Sequence, residues 1–80
     1  MEINLARDVV HTAFRASSEL QQLLARLKAA CPEAEYRDLA LGIAEAIDRI
    51  GTNLIDKAIA AHPQLRDEID AGITKDGRYR

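Results

Sequence analysis

The sequence predicts an all-α protein: a long antiparallel helical hairpin and a short C-terminal helix, two copies of which pair into a homodimeric four-helix bundle. Three observations carry this expectation. Apolar residues recur at alternating steps of four and three along two long segments, the period of one helix face. Pro32 and Pro63 separate those segments from each other and from a third, shorter one. Each long segment also carries about two apolar rows where an isolated hairpin needs one, and contiguous exposed apolar surface is rare on soluble monomers.

Size sets the frame. The chain has 80 residues, room for one domain, here residues 1–72. Fourteen of its apolar residues are alanine, which bury little area each. A chain this short buries only about 60 % of its unfolded surface, and its own core rarely supplies more than roughly 3–5 kcal/mol. With a single cysteine, Cys31, it has no internal disulfide to add to that. A multidomain enzyme, a disulfide scaffold and a collagen-like chain are excluded on these grounds.

The first helix is expected over residues 5–30. Val9, Ala13, Ala16, Leu20, Leu23, Leu27 and Ala30 form one row, and Val10, Ala13, Ser17, Leu20, Leu24, Leu27 and Cys31 a second beside it. Asn4 is the expected N-cap, because its side-chain oxygen can satisfy a free backbone N–H. Arg7, Arg15, Glu19, Gln22 and Arg26 lie off the apolar stripe. Cys31-Pro32 breaks the helix, since proline disfavours the α conformation in the residue before it.

The second helix is expected over residues 32–61. Proline suits its first turn, and Glu33 and Glu35 suit the positive end of its dipole. Tyr36, Ala40, Ile43, Ile47, Ile50 and Leu54 form its main row, with Ile55 and Ile59 widening the arc. Gly42 and Gly51 lie inside it; Gly51 falls on a row of small residues, where close packing would account for it. His62-Pro63 ends this helix for the same reason as the first break. A third helix is expected over residues 63–71, with Leu65 and Ile69 as its large apolar contacts and Gly72 as its terminator. Residues 73–80, with Lys75, Arg78 and Arg80, read as a flexible basic tail.

Function is less legible than shape. The reading is a small non-catalytic, cytoplasmic interaction or scaffold module acting through helix–helix association. Its interface and core are expected at Leu20, Leu23, Leu24 and Leu27 facing Ile43, Ile47, Ile50 and Leu54. A homodimer is the expected assembly, with a heterologous protein partner as the other way of covering the surplus apolar arc. The net charge of −2 and the absence of a dense basic face argue against nucleic acid. No apolar run is long enough to span a membrane.

The alternative is a carrier of a small ligand, haem or metal, using the bundle interior or Cys31-Pro32. Cys31, His11 and His62 are the possible ligands. Against it, neither histidine has a Cys or His one turn away, so the usual zinc spacing is absent. A turn near residue 31 places His62 opposite Met1 and His11 opposite Thr52, so one chain does not bring the two histidines together. Glu45, Asp48 and Asp56 read as a solvated acidic face. No nucleotide-binding loop or nucleophile motif occurs, and no catalytic residue, metal site or cofactor is assigned.

Overall fold

The computed structural model describes residues 1–76, with side chains placed through residue 72. In chain order it contains α1 (Ile3–Ala30), α2 (Glu33–Ile50), a π-helical turn (Gly51–Ile55), α3 (Asp56–Ala61) and α4 (Gln64–Asp76). No strand occurs among the described residues. The segments from Glu33 to Ala61 run on without a break, so three rods make up the fold.

α1 begins at Ile3, two residues before its expected start at Leu5. The Glu2 carboxylate accepts from the backbone N–H groups of Asn4 at 2.9 Å and Leu5 at 3.2 Å. Glu2, and not Asn4, is therefore the N-cap: its longer side chain reaches the free donors of the first turn. The Asn4 side-chain oxygen instead accepts from Arg7 Nη1 at 3.0 Å. At the other end, Cys31 is extended (φ −108°, ψ 150°), as a residue before proline must be, and its N–H still donates to the Leu27 carbonyl at 2.9 Å.

From this turn the chain runs back along α1. His62 Nε2–H donates to the Met1 carbonyl at 2.6 Å, which places the end of α3 at the start of α1. The molecule measures 44 × 25 × 14 Å. Three rods of this size enclose little volume between them, and burial is correspondingly sparse.

The buried core is Ala6, Val10, Ala58, Leu65 and Ile69, with Val9, Phe14, Ile55 and Ile59 packed against it. It sits where α4 folds over the start of α1 and the end of α3. Elsewhere Ala13 and Ile43 are the buried apolar residues. The alternating rows alone suggest a seam running the whole length of α1. α4 instead concentrates burial at one end, because it adds the third surface that two rods lack.

α4 is pinned by charge as well as by Leu65 and Ile69. Arg7 Nε and Nη2 donate to the two carboxylate oxygens of Glu68, each at 3.0 Å. This fork-to-fork geometry is the strong form of an Arg–carboxylate pair. The Arg7 hydrogen bonds hold the Glu68 carboxyl below its ordinary range, and the charges of Arg7 and His11 act in the same direction. A depressed folded pKa means that the unfolded chain binds the proton more tightly. The stabilisation is therefore present above the unfolded value of about 4.3 and is lost as the pH falls through the folded value. Glu68→Gln should be less stable than the wild type at pH 7, and the two should converge towards pH 3; thermal melts across that range check it. A gap independent of pH would remove the ion pair from the account.

α4 also differs from its expected length. It continues through Gly72 to Asp76. Glycine permits a helix to end but does not compel it; inside a helix it costs about 1 kcal/mol relative to Ala. Residues 73–76 of the expected flexible tail are thus helical, and residues 77–80 lie outside the described residues.

The π turn was not expected. Asp56 N–H donates to the Gly51 carbonyl, five residues back. Such a turn holds one more residue than an α turn and moves every following side chain by one place in the helical pattern. The facing row Ile43, Ile47, Ile50 would continue to Leu54 in an unbroken α-helix. Instead Ile55, Ala58 and Ile59 meet the core, and Leu54 is 44 % exposed. The close packing expected at Gly51 is also absent: a Cβ built there, or at Gly42, meets nothing within 4 Å.

Candidate functional site

The displaced Leu54 helps to form an apolar depression. Leu5, Asp8, Val9, Thr12, Ala13 and Ala16 of α1, with Ile50 and Leu54, line an open groove of about 460 Å³. The sequence explains the residues on α1: Leu5, Val9, Thr12 and Ala16 follow one another by four, three and four, on one side of the helix. α4 lies over the other side of this end of α1, where Ala6 and Val10 are buried. Leu5, 56 % exposed, and Leu54 stand at the groove without a covering element among the described residues.

The groove continues along α1. Ala16 also belongs to a second depression of about 610 Å³ with Glu19, Leu20, Gln22, Leu23 and Arg26. The two share one strip of α1, apolar on the side towards α2 and charged on the side towards solvent.

Among the residues expected to form the interface, only Ile43 is buried. Leu20, Leu23, Leu24, Leu27, Ile47 and Ile50 are half-buried, and Leu54 is exposed. Away from α4, two rods cover each seam from one side only. Leu5 and Val9 lay outside the expected set, although Leu5 stands one turn before Val9 on the first apolar row and could have been found by extending it.

The candidate ligand residues are dispersed. Cys31 caps the end of α1, beside a small depression lined by Lys28, Glu33, Tyr36 and Arg37, and Arg37 pairs with Glu33 at 2.7 Å. Local desolvation, and then the Glu35 carboxylate, push the Cys31 thiol above its ordinary pKa. That favours the protonated thiol, whereas a haem or metal ligand must be a thiolate. His62 is engaged with the Met1 carbonyl at the opposite end of the molecule. His11 lies on α1 within electrostatic reach of Glu68. No group of three or more His, Cys, Asp or Glu able to hold a metal ion occurs among the described residues. Glu45, Asp48 and Asp56 are all exposed. No helix among the described residues is long and apolar enough to cross a membrane.

Comparison with protein-family models, with curated proteins and with solved structures gives no match for this chain.

Proposed function

We propose that the chain is a small cytoplasmic interaction or scaffold module, without catalysis of its own, that acts through helix–helix association at the groove between α1 and the π turn. Its first partner is a second copy, the two hairpins closing into a four-helix bundle. The observation that carries this reading is the uncovered apolar strip, with Leu5 and Leu54 standing open beside it.

Leu54→Asp separates association from folding, because Leu54 contributes little to the chain's own core. Light scattering over a hundredfold concentration range should give the wild type twice the 8.8 kDa chain mass and the variant a single chain mass, with helical circular dichroism unchanged. A variant that keeps the wild-type mass would take the groove out of the interface. A wild type that stays at one chain mass throughout would overturn self-association.

A further inference from the structure

We infer that the groove receives α1 of a second copy, laid antiparallel about a two-fold axis near residue 17, with Asp8 facing the second copy's Arg26 and Arg15 facing the second copy's Glu19. This rests on the proposed self-association and adds its orientation and register.

The rim of the strip supplies the reasoning. Asp8, Thr12, Arg15, Glu19, Gln22 and Arg26 follow one another by four, three, four, three and four, so they form one row along α1. All six are exposed. Asp8, Thr12, Glu19, Gln22 and Arg26 also line the two depressions, which places the row at the edge of the apolar strip. Among the described residues the ion pairs are Arg7–Glu68 and Arg37–Glu33, and neither uses the charges of this row.

The signs along the row are negative, neutral, positive, negative, neutral, positive. Reversing the row about its midpoint turns each sign into its opposite. A two-fold axis perpendicular to α1 performs that reversal and brings the same edge of both helices together. Asp8 then meets Arg26, Thr12 meets Gln22, and Arg15 meets Glu19, each pair occurring twice. A parallel pair in register would set Asp8 on Asp8, Arg15 on Arg15, Glu19 on Glu19 and Arg26 on Arg26, all repulsive. At the midpoint stand Ala16 and Ser17, small enough for two helices to approach closely. Below the charged rim, the apolar strips of the two copies cover each other. Complementary rim charges set register and orientation more than affinity, which is the role assigned to them here.

Charge exchange tests the register. Arg15→Glu alone, and Glu19→Arg alone, should each weaken dimerisation roughly tenfold, since two attractive pairs become two repulsive ones. The double variant Arg15→Glu/Glu19→Arg should restore wild-type association. Raising the salt should weaken the wild-type dimer and strengthen each single variant, as screening removes attraction in one and repulsion in the other.

A nitroxide on the lone cysteine, Cys31, reports orientation independently. With the axis at residue 17, the two labels stand about 40 Å apart along the helices at 1.5 Å per residue; a parallel pair would bring them within about 15 Å. A dimer that ignores the single exchanges, or whose labels lie close together, overturns this register and leaves self-association standing. A wild type that is monomeric throughout overturns both.

Discussion

Leu65→Ala is expected to remove most of the stability of the chain. Leu65 is fully buried and is the largest side chain so enclosed, with Val10 beside it. It joins α4 to Ala6 and Val10 of α1 and to Ala58 of α3 in one cluster. Truncating a buried leucine to alanine costs about 2–5 kcal/mol, depending on how far the surroundings close over the cavity. Here two of the four other buried members of the cluster, Ala6 and Ala58, have little side chain to move into the space, while Val10 and Ile69 can shift only slightly, so the loss should fall within that range. A fold of this size holds roughly 3–5 kcal/mol in its own core. Urea titrations followed by circular dichroism, at fixed protein concentration because association adds to stability, should show the midpoint collapse. Leu41→Ala is the control: Leu41 is 63 % exposed, and its truncation should change stability by no more than about 0.5 kcal/mol. A loss below about 1 kcal/mol for Leu65→Ala would mean that α4 is an appendage and the core lies elsewhere.

The contrast between these two leucines shows where sequence reading reaches its limit. Leu65 and Ile69 are recognisable as the only large apolar residues of a short helix, so that helix must lean on something. What it leans on is a tertiary fact. Nothing local to Arg7 announces a partner 61 positions away in Glu68, and nothing local to Ala6 announces complete burial. The breaks at Cys31-Pro32 and His62-Pro63 are legible because proline acts on its immediate neighbour. The apposition of His62 and Met1 is legible because one short turn fixes the register of everything beyond it. Glu2 was missed as a cap because capping preference ranks short side chains first, and Gly72 was over-read because permission to stop was taken for a stop.

The candidate site was partly legible for the same reasons. The surplus of apolar rows is a property of the sequence, and Leu54, Ile50, Leu20 and Leu23 were on them. What periodicity alone does not reveal is that α4 shields one side of α1 and leaves the other open, or that Leu54 leaves the seam at the π turn. Ile55 and Ile59 were the available signal. They looked like a broadening of the apolar arc; read as a phase slip, they indicate one extra residue between Ile50 and Ile55.

That phase slip makes a deletion the sharpest test of the fold. Removing one residue from an α-helix ordinarily turns everything beyond it by about 100°. Deleting Thr52 should do no such harm, because the π turn already contains one residue too many. Asp56 N–H, bonded to the Gly51 carbonyl five residues back, would become an ordinary four-residue bond to the same carbonyl. Ile55, Ala58 and Ile59 would keep their places against α1, and α4 would keep its dock. Stability should change by no more than about 1 kcal/mol, on the scale of single-residue helix propensities. Deleting Glu45, equally exposed but inside regular α2, should be severe. Either Tyr36, Ala40 and Ile43 or Ile47 and Ile50 must then rotate off the face they share, exposing side chains worth about 1.5–3 kcal/mol each when fully buried. Melting temperatures of the two deletions, compared at one concentration, decide the matter. If losing Thr52 is as damaging as losing Glu45, the helix is in phase throughout, and Leu54 must be returned to the seam and removed from the groove.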